Sequence, residues 1–150
     1  MNNEFSEREA RVRESFSRQG FMRHLGAEVT ALAPGECEIQ VPYRKEMTQQ
    51  HGYFHAGVAA AVADSACGYA AYGLMPVTSS VLTVEYKINL VAPAAGETLI
   101  ARARVVRSGK TLKICAADVV AVKDGKETLC ATTLSTIMVM HDKADSPSKT

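Results

Sequence analysis

The sequence predicts an α+β domain in which one antiparallel sheet wraps around one buried helix. Three observations carry this expectation. Residues 55–73 are almost continuously apolar and too long for a buried strand. After Pro76 the pattern changes to a period of two, punctuated by glycine-containing turns. A shorter pair of strand-like segments precedes the helix. Strands that must bury one face against a single helix pack as a sheet over that helix.

Taken in order, residues 6–19 read as an amphipathic helix. Ser6 and Glu9 match a capping box, Phe5, Val12 and Phe16 suggest an apolar side, and Gly20 suits the stop. Two strands follow around a Pro34-Gly35 turn; in the second, Cys37, Ile39, Val41 and Tyr43 alternate with Glu36, Glu38 and Gln40. Residues 44–54 are mostly polar and read as a loop entering the long helix, from about His55 to Gly73. That helix is apolar on nearly all sides, which implies burial all round, and its alanines allow close approach of other backbones. Strands are then expected at about 78–91, 97–107, 111–122 and 127–140, forming a four-strand meander. Gly96, Ser108-Gly109 and Asp124-Gly125 mark the turns between them. Residues 1–140 form one domain, and the polar segment HDKADSPSKT, 141–150, is expected to be a disordered tail.

With 150 residues, 47% of them hydrophobic and 22% charged, the chain has the composition of one globular domain with a sizeable core. A net charge of +1 gives no strong field for nucleic acid or an anionic membrane, and no apolar run reaches a membrane-spanning length. No nucleic acid or membrane partner is therefore expected. The N-terminus lacks the apolar core of a signal peptide, so the default compartment is the cytosol. Four scattered cysteines, Cys37, Cys67, Cys115 and Cys130, have neither CxxC nor metal-ligand spacing. They read as packing residues, and nothing calls for a metal or another cofactor.

One residue breaks this plain picture. The run HAGVAAAVAD places Asp64 in the middle of the apolar helix. A buried ionised acid is costly unless it is paired or protonated. Asp64 is thus either a structural acid satisfied locally or a group kept for chemistry.

The spacing around it resembles a known family. Gln49, then His55-Ala56-Gly57, then Asp64, then Thr83 ten residues before Pro93 look like the hotdog-fold acyl-CoA thioesterases of the phenylacetate-degradation (PaaI-like) type. The segment VRSGKTLKICAADV also resembles the family, and the similarity covers about residues 20–140. The family pattern has an amide six residues before a His-Gly-Gly at a helix start, an acid nine residues after the His, and a Ser or Thr on the next strand. Here the first Gly is Ala56, which keeps the backbone N–H but adds a methyl group that narrows the pocket. The resemblance implies a hotdog fold, hydrolysis of an acyl-CoA substrate, and a homodimer that pairs again into a homotetramer.

The implied chemistry suits these residue types. Thioester hydrolysis passes through an oxyanion, which wants preorganised N–H donors, and a helix start carrying Ala56 and Gly57 has unpaired ones. Asp64 could be the general base or the nucleophile. Gln49 could orient the carbonyl or the water, and Thr83 could hold the water or the carboxylate. Each has a plainer reading: Gln49 as a loop amide, Thr83 as a common strand residue, His55 as a helix-entry residue bonded to its own loop. His55 is otherwise a candidate substrate contact. Arg107, Ser108 and Lys110 at the hairpin could meet the phosphates of coenzyme A, or could simply face solvent. Ala56 and Asp64 are eight residues apart, roughly 12 Å along a helix, so one carbonyl cannot meet both in one chain. The expected site is therefore shared between two antiparallel helices of a dimer. Two other functions stay open: an acyl-CoA-binding or sensing protein without catalysis, and a hotdog enoyl-CoA hydratase or dehydratase using His55.

Overall fold

The computed structural model describes residues 3–147. The chain runs α1 (Asn3–Ser17), α2 (Gly20–Leu25), β1 (Glu28–Ala33), β2 (Glu36–Pro42), a single 3-10 turn (Lys45–Met47), α3 (Ala56–Tyr72), β3 (Ser80–Leu90), β4 (Thr98–Ser108), β5 (Leu112–Lys123) and β6 (Lys126–Met140). All strand pairs are antiparallel, in the order β1-β2-β4-β5-β6-β3. The sheet packs around α3, the expected hotdog arrangement. Ile39, Val41, Leu99, Val119 and Ile137 from the sheet and Val62, Ala66 and Cys67 from α3 are fully or almost fully buried. Each aliphatic side chain buried this way contributes about 1.5–3 kcal/mol. All four cysteines are buried free thiols, and burial pushes the thiols of Cys37 and Cys115 up to about 12.

Several details differ from the sequence reading. The first helix is already formed at Asn3, so Ser6 lies inside it and caps nothing; Glu9 instead bonds to Arg13 one turn on. Gly20 opens the short α2 rather than ending α1, because Met22 and Leu25 find buried positions. Tyr43 lies outside β2, edge-on to Phe54. The long helix is not buried all round: Ala56 and Gly57 are exposed, and Ala60, Ala61, Asp64 and Ser65 are half-buried, leaving one side open along its first half.

The four-strand meander is also corrected. β3 does not neighbour β4; it crosses to the far edge and pairs with β6. The 91–97 link runs across the sheet end, held by Val91 N–H to Cys130 O and Glu97 N–H to Val122 O. Gly96 permits that crossing, since a Cβ there would sit 2.1 Å from the Val122 carbonyl oxygen. Where a disordered tail is expected from 141, the Asp145 carboxylate accepts from Ser15 Oγ at 2.6 Å and from Arg18 at 2.8 Å, which ties this segment to α1. The rest of that expectation, 148–150, lies outside the described residues. No described helix is long and apolar enough to cross a membrane.

Candidate active site

His55 is the N-cap of α3. Its Nδ1 accepts the Gly57 N–H at 2.8 Å, and its own N–H donates to Met47 O. An imidazole that accepts at Nδ1 carries its proton on Nε2 when neutral. The expectation that both Ala56 and Gly57 offer free N–H groups is therefore corrected: the cap takes that of Gly57. The Ala56 N–H takes part in no hydrogen bond among the described residues, as expected at the first position of a helix. A single orphan donor at the positive end of the α3 dipole remains.

Gln49 is brought to the same place by the tight loop before the helix. Its N–H donates to Tyr53 O, its carbonyl accepts from Gly52 N–H, and its Oε1 accepts from His51 N–H. Fixing Oε1 leaves the amide NH2 to donate outward. Gln49 and Ala56 line one open cleft of about 480 Å³ with Phe54, Leu90, Pro93 and Cys130. It is a largely apolar cleft lined by two residues with donors to spare, suited to a carbonyl on an apolar group.

Asp64 lies two turns farther along α3, outside that cleft, on the side facing β3. Thr83 Oγ1 donates to Asp64 Oδ1 at 2.8 Å. Burial raises the Asp64 pKa above the ordinary carboxylate range, and the Thr83 bond offsets part of this. A bulge between Thr83 and Glu85 disrupts the β3–β6 pairing next to this hydroxyl, a device that re-aims strand side chains. The carboxylate is thus partly satisfied and half-exposed, with Oδ2 uncommitted among the described residues.

The structure brings Gln49, His55 and Ala56 together, and separately Asp64 with Thr83. It joins neither group to Arg107, Ser108 and Lys110, which are exposed at the β4–β5 hairpin. Sequence reasoning missed Lys113. It is buried on β5, its ammonium bonded to Ser108 Oγ, and desolvation lowers its pKa. Its parity was the available signal: Lys113 shares the inward face with Cys115, Ala117, Val119 and Ala121, all buried.

Comparison with known proteins adds the family. A model described as thioesterase superfamily matches residues 51–128. A relative from Halobacterium salinarum is 34% identical over 110 residues, which is 70% of this chain and 72% of that protein. A crystal structure of a thioesterase family protein from Silicibacter pomeroyi is 45% identical, with a TM-score of 0.87 over 91% of this chain and 98% of that one. The E. coli PaaI protein from the phenylacetic acid degradation operon shares the fold at 18% identity, with a TM-score of 0.78 over 90% of this chain and 92% of that one.

Proposed function

The chain belongs to the thioesterase superfamily, and from that membership we propose that it hydrolyses an acyl-CoA to the free acid and coenzyme A at sites shared by two copies of the chain. The observation that carries this reading is the cleft at the start of α3, which is lined by both Ala56, whose N–H has no partner among the described residues, and Gln49, whose Oε1 is already held by His51 N–H. These donors receive the thioester oxygen and the charge that develops on it. Asp64 of a second chain, with Oδ1 held by Thr83, uses Oδ2 either to take a proton from the attacking water or to attack the carbonyl itself. Acting as base, Asp64 passes the water's proton to the sulfur as the tetrahedral intermediate collapses and the C–S bond breaks. Acting as nucleophile, it displaces the thiolate to form an acyl-aspartyl anhydride, which a water then hydrolyses to the free acid, restoring the carboxylate and leaving a proton for the thiolate.

Two features support the shared arrangement. The open side of α3 carries small residues from Gly57 through Ala60 and Ala61 to Asp64, which allows a second helix to approach closely. The edge strand β3 exposes Leu82, Val84, Tyr86 and Leu90, and a long apolar edge is covered in a stable protein. A second β3 would continue the sheet and bring the two helices together. Exposed Leu82, Leu112 and Leu134, on the sheet face opposite α3, favour pairing of two such dimers into a tetramer. The cytosol is the proposed compartment.

The His55 cap argues against the hydratase reading, since a neutral imidazole that accepts at Nδ1 carries its proton on Nε2 and has no lone pair left to act as a base. A panel of aromatic, short, medium and long acyl-CoAs tests the proposal; tight binding with no hydrolysis would instead favour the sensing reading. Gln49→Ala is expected to lower turnover about 10- to 1000-fold, the range for loss of one donor to the reacting oxygen. Unchanged kinetics would return Gln49 to a loop amide. Neutralising Arg107 and Lys110 together is expected to raise KM for acyl-CoA more than for an acyl-pantetheine that lacks the nucleotide. Equal changes for both substrates would refute phosphate contacts there.

A further inference from the structure

The cleft at the start of α3 is lined by one imidazole, that of His51. Besides His51, the lining side chains that can exchange a proton are Tyr53 and Cys130. Cys130 is buried, its thiol donates to Val119 O, and burial raises its pKa. By type, a phenol keeps its proton at neutral pH, whereas an imidazole exchanges one there. His51 is exposed, and its ring nitrogens bond to nothing among the described residues. His55 differs, because its Nδ1 already caps α3.

The turn that carries His51 is held in shape. The His51 N–H donates to Gln49 Oε1, and the Gly52 N–H closes the turn onto Gln49 O. Gly52 takes a φ of +80°, which favours glycine. The His51 ring lies 6.5 Å from that of Tyr53. His51 and the Gln49 amide thus sit on one tight turn beside the same cleft.

Burial gives the cleft a direction. Phe54, Ala59 and Cys130 at its base are buried, while His51 and Tyr53 at its mouth are exposed. An apolar acyl group belongs at the base. With the thioester oxygen at Ala56 and Gln49, the sulfur then departs toward the mouth. Asp64 has one uncommitted oxygen, since Thr83 holds Oδ1. That oxygen is engaged in the attack, so the sulfur needs a donor of its own.

We infer that His51 is the general acid of thioester cleavage, giving a proton to the sulfur as the C–S bond breaks. This rests on the acyl-CoA thioesterase reading and deepens it. With Asp64 as base, the imidazolium protonates the thiolate and Asp64 returns the water's proton to His51, so that proton reaches the sulfur by way of the imidazole. With Asp64 as nucleophile, the imidazolium again protonates the thiolate. The neutral imidazole then takes a proton from the water that opens the anhydride. On either route the free acid and the thiol leave, His51 ends protonated and Asp64 ends ionised.

The test compares leaving groups. Wild type and His51→Ala are assayed on the coenzyme A, pantetheine and thiophenyl thioesters of one acyl group. The first two release the same kind of alkylthiolate, a basic group that gains from protonation. Thiophenolate is a far weaker base and leaves without a proton. His51→Ala is expected to lose about 100-fold in kcat on acyl-CoA and acyl-pantetheine alike, the lower end for a positioned acid. On the thiophenyl ester it should stay close to wild type. His51→Gln, which fills the site but transfers no proton, should behave in the same way. Both variants keep the backbone N–H that holds Gln49, and the exposed ring leaves no cavity, so melting temperatures should match. Gln49→Ala, by contrast, should lose on all three esters, because the carbonyl oxygen is common to them. Equal loss on all three in His51→Ala, or no loss, would overturn the inference. So would a loss confined to acyl-CoA, which would make His51 a nucleotide contact. In these cases wild-type hydrolysis leaves the thioesterase reading standing, whereas a wild type that hydrolyses none of the esters overturns both.

Discussion

Asp64→Asn is expected to lose about 10²- to 10⁴-fold in turnover, the contribution typical of a positioned base, while melting at a higher temperature than the parent. Both effects come from the same half-buried carboxylate. Burial raises its pKa, and the Thr83 bond offsets this only in part. Below the ordinary aspartate pKa, folded and unfolded chains are both protonated and nothing is lost. As pH rises past that value the unfolded chain ionises first, and stability falls until the folded Asp64 ionises at its raised pKa. At neutral pH the charged Asp64 therefore costs stability. Asparagine removes the charge and keeps an oxygen for the Thr83 hydroxyl, so the melting temperature should rise. In the parent, activity should fall with decreasing pH through the raised Asp64 pKa, since the carboxylate is the active form. Thermal melts and a pH-rate profile of both proteins check this. Near wild-type turnover in Asp64→Asn would end the catalytic assignment.

Much of this was legible in the residues, and the misses have physical causes. Alternation placed β3 to β6 to within a few residues, and in β2, β4, β5 and β6 inward and outward positions differ strongly; β1 was located only by the Pro34-Gly35 turn that follows it. Strand order was not legible. Periodicity says which face a residue takes, not which neighbour its strand chooses, and the β3 crossover depends on bonds such as Glu97 to Val122. The Asp64–Thr83 bond joins two residues whose spacing was noted, whereas the His55 cap on Gly57 altered the expected donor set. A capping side chain and an oxyanion compete for the same orphan N–H groups. In a list of residues, nothing tells which of them wins. Lys113 drew no reading because lysine is rarely buried, although its parity puts it on the inward face.

Mixing two impaired variants is expected to restore activity. In one chain Gln49 and Ala56 share a cleft that Asp64 does not line. Ala56 and Asp64 are roughly 12 Å apart along the α3 axis, while a carbonyl and its attacking group must come within about 3–3.5 Å. A two-fold axis between antiparallel α3 helices would lay the Ala56 end of one beside the Asp64 region of the other and give two equivalent sites. Asp64→Asn chains supply an intact Gln49 and Ala56, and Gln49→Ala chains supply an intact Asp64. A hybrid dimer then holds one complete site and one lacking both groups. When equal amounts are unfolded and refolded together, random pairing makes half of the dimers hybrid, so about a quarter of wild-type specific activity should return. Each variant refolded alone should stay at its own low level. If isolated hybrid dimers do no better than the mean of their parents, the site lies within one chain. A stable monomer that turns over at the wild-type rate would overturn the shared site equally. Recovery near one quarter is specific to a site that takes its donors from one chain and its carboxylate from the other.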